Sequence, residues 1–307
     1  MMYEAYFGLK ENPFTLSPNP RYLYLSPRHR EALNCLLYGI HEKKGFMALT
    51  GGIGTGKTTL CRFMLAELGD SVATALIFNP ALSDIELLKT VNQEFGIRIG
   101  SGRGTKKRYL DALNDFLLAN FSRGRNAVLI IDEAQNLARE TLEQVRMLSN
   151  LETASEKLLQ IVLLGQPELL EVLMLPSLRQ LNERITVRYD LRPLGREDVR
   201  GYLEHRLAAA SGSAKGLFSA GSYGPLYRAS AGIPRRINAI CDRALLVAYG
   251  KDKRMVDRRI VREAIRDLGA SYLGSTGQRM RFWLEIVGAL LLLAMVIIFG
   301  YRQWPWF

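Results

Sequence analysis

The run Gly51-Gly52-Ile53-Gly54-Thr55-Gly56-Lys57-Thr58-Thr59 lies between a short apolar stretch, Phe46 to Thr50, and a segment, Thr58 to Leu68, that can open a helix. This strand-loop-helix context is what a phosphate cradle needs. The glycines let the backbone curl so that successive N–H groups point inward, and the helix N-terminus adds its positive end. In such a loop Lys57 would reach the β- and γ-phosphates of ATP. The Thr58 hydroxyl would take one position on Mg²⁺.

A second pattern supports the first. Ala127-Val128-Leu129-Ile130-Ile131 is apolar throughout, as a strand buried on both faces of a parallel sheet would be, and Asp132-Glu133 closes it. Ligands bind at the carboxyl ends of strands in open α/β sheets. Asp132 is placed to hold Mg²⁺ through water and Glu133 to polarise the attacking water. An apolar run ending in Asp-Glu is weakly specific alone, but here it follows the cradle by about 75 residues.

The chain of 307 residues is long enough for more than one domain. Its net charge of +11 favours an anionic partner, either nucleic acid or a membrane surface. Part of the excess is local, with nine basic and four acidic residues from Lys251 to Arg281. Cys35, Cys61 and Cys241 are scattered and odd in number, which argues against a disulfide framework and suits a reducing compartment. His29, His41 and His205 lack metal-ligand spacing and read as surface or packing residues.

Near its end the chain becomes apolar. Phe282 to Gly300 holds 19 residues with one charge, Glu285, in the first turn. As a helix this segment would rise about 28 Å, close to the hydrocarbon thickness. All three tryptophans, Trp283, Trp304 and Trp306, flank it as an interfacial belt would. The expectation is one transmembrane helix over 282–300, with basic residues marking its N-terminal side as cytoplasmic.

Between these landmarks, strands alternate with helices. Strands are expected at Phe46–Thr50, Thr74–Asn79, Ala127–Ile131, Gln160–Leu164 and Ile185–Tyr189. Helices are expected at about Pro27–His41, Asp84–Phe95, Lys106–Phe121 and Glu140–Leu148. This is the signature of a parallel doubly wound α/β sheet. Past Leu194 only helical spacing remains, at Arg196–Ser211, Gly224–Ser230, Pro234–Tyr249 and Asp257–Leu268. Residues 1–190 therefore read as the nucleotide core and 191–270 as a helical lid. A basic tether over 271–281, the span and a short tail over 301–307 follow. The first 45 residues, with their aromatics and prolines, read as an extended segment clamped to a domain surface and then a helix.

Three further features bear on chemistry. Gln166, in Gly165-Gln166-Pro167, would sit at a strand's carboxyl end and sense the γ-phosphate or orient water. Arg179 and Arg184 precede the last strand, where one of them would serve a neighbouring subunit as an arginine finger. Arg235 and Arg236 follow Pro234 in the first turn of a helix, an unfavourable place for cations that a phosphate partner would explain.

Together these residues resemble the AAA+ secretion ATPases of the general secretion pathway protein A (ExeA-like) type. The likeness is carried by Met2-Tyr3-Glu4 to Phe14, Asn19-Pro20-Arg21-Tyr22-Leu23-Tyr24-Leu25-Ser26 and Ser149-Asn150-Leu151-Glu152-Thr153. Leu163 to Leu169 and Gly232 to Asn238 add to it, so that it spans roughly residues 2 to 270. The resemblance implies a P-loop AAA+ module with a helical lid, Gln166 as a sensor-like residue and Arg235 or Arg236 as a second sensor. It also implies a homo-oligomer that binds ATP and Mg²⁺, faces the cytoplasm and is anchored in the bacterial inner membrane by a single pass. Membrane proteins of an envelope secretion system would be its partners. The family's type members continue into a periplasmic peptidoglycan-binding domain. Here only Tyr301 to Phe307 follows the apolar segment, which speaks against direct peptidoglycan binding. This short form is more similar to relatives that accompany polysaccharide export and exosortase (PEP-CTERM) systems. Two other readings stay open: a DNA-associated ATPase of the transposition-helper kind, which the apolar segment speaks against, and a non-hydrolysing nucleotide-gated adaptor.

Overall fold

A computed structural model describes residues 3–78, 82–99, 104–153, 156–211 and 216–273. Five strands form one sheet: β1 (Phe46–Thr50), β2 (Val72–Ile77), β3 (Asn126–Ile131), β4 (Gln160–Gly165) and β5 (Ile185–Asp190). All pair in parallel in the order β2-β3-β4-β1-β5. The register aligns Thr50 with both Gly165 and Asp190, so the carboxyl ends of β1, β4 and β5 share one edge.

Seven helices belong to this layered unit: α1 (Pro27–His41), α2 (Lys57–Leu68), α3 (Asp84–Glu94), α4 (Lys106–Ser122), α5 (Arg139–Leu148), α6 (Glu168–Leu173) and α7 (Arg179–Arg184). Side chains of a strand alternate between faces, and the core divides accordingly. Phe46 and Ala48 of β1, with Leu129 and Ile131 of β3, pack against α3, α4 and α5. Met47 and Leu49, with Val128 and Ile130, pack against α1 and α2 on the other face. Every residue of β1 and β4 is buried, which is why those strands read as unbroken apolar runs.

The helical domain comprises α8 (Asp198–Ser211), α9 (Tyr223–Ser230), α10 (Pro234–Gly250) and α11 (Arg258–Leu273). Its core includes Val199, Leu203, Leu226, Ile237, Leu245 and Val261, and also Tyr3, Leu9, Phe14 and Tyr22 from the chain's start. Phe14 meets Phe218 edge to face, and Tyr3 donates a hydrogen bond to Asp242. The opening segment is thus not laid along a surface in extended form. It folds through turns and fills the helical domain, so by packing it belongs with residues 198–268.

Most boundaries fall within one residue of expectation, and the largest departures are at β2 and at the end of α11. β2 runs from Val72 to Ile77 rather than from Thr74 to Asn79, because it pairs residue for residue with β3 and stops where β3 stops. Gly269, at φ 72°, breaks α11, but residues 270–273 turn helical again where a flexible tether was expected. The rest of the expected tether, the span over 282–300 and the tail over 301–307 lie outside the described residues. Among the described residues no helix is long and apolar enough to cross a membrane.

Candidate nucleotide site

β1 delivers the chain to Gly51 at the sheet's carboxyl edge, and α2 begins at Lys57. Gly56 caps this helix in the left-handed region, with φ 105° and no side-chain hydrogen bond to the first turn. The leading N–H groups of α2 therefore face outward without an internal acceptor, as an anion site requires. Gly54, at φ 78°, is needed for a second reason. A Cβ there would lie 2.6 Å from Cβ of Arg235, and the Arg235 N–H reaches Gly54 O at 3.3 Å. The loop is in contact with the N-terminus of α10.

Lys57 is buried and donates from Nζ to Gly51 O at 2.7 Å and to Gly52 O at 3.2 Å. Burial pulls its pKa down, opposed by the charges of Glu133 and Asp132. Thr58 donates from Oγ1 to Asp132 Oδ2 at 2.7 Å, while Oδ1 accepts the Glu133 N–H at 2.9 Å. One hydroxyl and one carboxylate oxygen are thus in place for Mg²⁺, an ion that usually takes only one or two protein oxygens beside phosphates and waters. Glu133 sits in the left-handed region at φ 52°. Its Oε2 accepts from Gln135 Nε2 at 2.6 Å and from Gln166 Nε2 at 3.1 Å. Partial burial pushes the Glu133 pKa up, but the two amide donors and the Lys57 charge outweigh it and hold the carboxyl low.

A cavity of ≈ 280 Å³ is lined by Gly54, Gly56, Lys57, Thr58, Thr59, Glu133 and Arg235 together with Ile53; Asp132 and Gln166 do not line it and reach it through Thr58 and Glu133. Arg236 does not line it, so of the two arginines Arg235 faces the site. Neither Arg179 nor Arg184 lines it. Arg184 precedes β5 at the sheet's amino edge, beside Phe46, and donates to Ser149 Oγ at 2.5 Å and Asn150 Oδ1 at 2.8 Å. Arg179 is exposed and paired with Glu183 at 2.8 Å.

A family model for the AAA domain matches residues 40–173. The general secretion pathway protein A of Aeromonas hydrophila is 48% identical over 250 residues, covering 81% of this chain. The chain belongs to the AAA+ family, in its general secretion pathway protein A type. This AAA+ chain spans 45% of that relative's length. In fold it is similar to the Aeropyrum pernix ORC2 protein, with a TM-score of 0.64, 18% identity and coverage of 84% of this chain and 73% of that one. The Pyrobaculum aerophilum CDC6P structure gives a TM-score of 0.64 at 18% identity, covering 82% of this chain and 69% of that one.

The AAA+ site also contains residues that the sequence reading passed over. Thr15 to Asn19, from the chain's start, form one wall of the cavity, and Tyr202, Arg206 and Asn238 of the helical domain stand behind them. Arg206 donates to Pro13 O at 2.6 Å and Thr15 O at 3.3 Å, with Tyr22 stacked on its guanidinium. Arg62 of α2 holds Pro18 O at 3.1 Å, so this wall is tied to both domains. The periodicity of α8 held a clue to Arg206, since it falls on the same face as Val199, Leu203 and Leu207.

Of the two places open to His29, surface or packing, the structure shows packing: it is buried directly behind the phosphate loop. Its Nε2 lies 3.1 Å from Thr55 O, an acceptor only, so Nε2 carries the proton and Nδ1 accepts from Ser26 Oγ at 2.7 Å. Burial lowers its pKa from the ordinary 6.5, only partly offset by the Thr55 bond. A group depressed on folding contributes stability that is present above 6.5 and lost as pH falls through its folded value. The urea midpoint should therefore drop more steeply from neutral to mildly acidic pH in the wild type than in His29→Gln, which cannot titrate. Equal slopes would show that His29 is not held neutral.

Proposed function

We propose that this chain is a Mg²⁺-dependent ATPase, anchored in the bacterial inner membrane, that assembles or energises an envelope secretion or exopolysaccharide export system. What carries the reading is the convergence of Lys57, Thr58, Asp132, Glu133 and Gln166 beside the uncapped N-terminus of α2. Phosphate oxygens would take the outward N–H groups of the loop and draw Lys57 from the Gly51 and Gly52 carbonyls. Thr58 and Asp132 would hold Mg²⁺, which neutralises phosphate charge when bound. Glu133, ionised and oriented by two amides, accepts hydrogen bonds from the attacking water and receives its proton. Arg235 brings a cation from the helical domain to the cavity, so that movement of that domain and the state of the nucleotide are linked.

In the purified 307-residue chain, Lys57→Ala should lose ATP binding. Glu133→Gln should bind ATP normally while kcat falls about 100-fold or more, the range of one general base. Wild-type turnover by Glu133→Gln would remove the hydrolytic role assigned to that carboxylate and favour a nucleotide-gated adaptor.

Arg184 supports a role in trans. It lies at the sheet edge opposite Lys57, where its hydrogen-bond partners Ser149 and Asn150 are neutral. A finger from a second copy is worth about 10³-fold in rate in related phosphoryl-transfer systems. Specific activity should rise with protein concentration, and Arg184→Ala should lower kcat with ATP affinity retained. Arg179→Ala serves as the alternative. Activity independent of concentration in a strict monomer would eliminate the shared site.

The anchoring rests on the apolar residues 282–300 and the arginines before them, Arg279 and Arg281. The partners are proposed to be membrane proteins of a secretion system, or of a PEP-CTERM-type export locus. A reporter active only in the periplasm should work when fused after Phe307 and fail when fused at Gly277 of a truncated chain. Release of the whole chain from membranes by high salt alone would contradict a span.

A further inference from the structure

Gln135 belongs to neither nucleotide motif and lies in the single turn Ala134–Asn136 that follows Glu133. Both ends of its side chain are engaged. Oε1 accepts the backbone N–H of Gln166 at 3.1 Å, and Nε2 donates to Glu133 Oε2 at 2.6 Å. A backbone N–H can only donate, so it fixes which end of the Gln135 amide faces which way. The Gln166 side chain then donates to the same Glu133 oxygen at 3.1 Å. Glu133, Gln135 and Gln166 thus close a ring that joins the carboxyl ends of β3 and β4. The fit is tight, since a Cβ on Gly165 would stand 3.1 Å from Gln135 Oε1.

We propose that Gln135 is a positioning residue for hydrolysis, setting the rotation of the Glu133 carboxylate and transmitting to it any movement of Gln166. Two amides occupy Oε2. Among the described residues no hydrogen bond reaches Oε1, which is left for the attacking water. From the other side, Asp132 Oδ1 holds the Glu133 N–H at 2.9 Å, so backbone and carboxylate are fixed independently. The residue type matters. An arginine or lysine at position 135 would bring a countercharge that competes with water for the carboxylate, and an apolar residue would leave it free to rotate. A glutamine donates to the carboxylate and accepts from β4 without neutralising either. This inference rests on the reading of Glu133 as the group that activates water.

The test uses the 307-residue chain with Gln135→Leu, which keeps the bulk and removes both hydrogen bonds, and Gln135→Glu, which accepts but does not donate. Glu133→Gln is the reference. Both Gln135 variants should lose roughly 10- to 100-fold in kcat, while the Kd for ADP stays within about twofold of wild type. A merely structural role would lower kcat and ADP affinity together. The proposal is overturned if kcat stays near wild type or if the loss in kcat is matched by a loss in ADP affinity. If Glu133→Gln is inactive and Gln135→Leu is not, only the positioning role fails. If Glu133→Gln turns over normally, the reading beneath it fails as well.

Discussion

The hydrogen bond from Thr58 to Asp132, 2.7 Å long, joins the ends of two strands that are not neighbours. β4 separates β1 from β3, so nothing in the sheet ladder itself relates the phosphate loop to the acidic pair. The link is made outside the sheet, between the first turn of α2 and the residue just past β3. Asp132 is 4% exposed, and a buried carboxylate that loses a partner costs roughly 1–3 kcal/mol. Asp132 also receives the Glu133 N–H, and its own N–H donates to Ile77 O of β2. The first turn of α2, Glu133 and the edge of the sheet therefore share one anchored residue. Gln135 and Gln166 extend that arrangement to β4. The residues that follow β1, β3 and β4 at this edge are thus linked to one another by side-chain hydrogen bonds.

The sheet was legible in the sequence because its central strands are buried on both faces. Ala127 to Ile131 and Gln160 to Leu164 leave no polar residue to confuse helix with strand, apart from Gln160 at a strand start. β2, at an edge, follows the length of its partner rather than its own pattern, and its limits shifted by two residues at each end. The nucleotide motifs were legible because the chemistry is local: six residues of backbone make the loop, and two adjacent carboxylates make the acidic pair. Arg235 could not be told from Arg236 by position in a helix turn alone. The close approach of Gly54 and the lining of the cavity distinguish them.

What stayed illegible is set by long sequence separations. Arg206 meets Pro13 across 193 residues and Asn238 meets Thr15 across 223, and no local pattern announces such partners. The partners of His29 were hidden for a different reason. Two hydrogen bonds and burial turn an ordinary imidazole into a strut behind Thr55, and neither is visible in a helix N-terminus that begins Ser26-Pro27-Arg28-His29. Gln135 stands only two residues beyond the acidic pair, but the Gln166 N–H that orients its amide lies 31 residues further on.

The incorporation of Tyr3, Leu9, Phe14 and Tyr22 into the helical domain has a consequence for the order of assembly. Within this module these side chains are made early, yet the surfaces that receive them, on α8, α10 and α11, follow roughly 200 residues later. The sheet can form in the interval, because every strand lies between the two. The opening segment must meanwhile remain apolar and unpartnered, the condition in which nascent chains are most exposed to mispairing. Folding of the module is then completed by a closure in which its first-made segment is captured by its last-made helices. That same capture builds the wall of the nucleotide cavity, so the site is finished only when the whole module is.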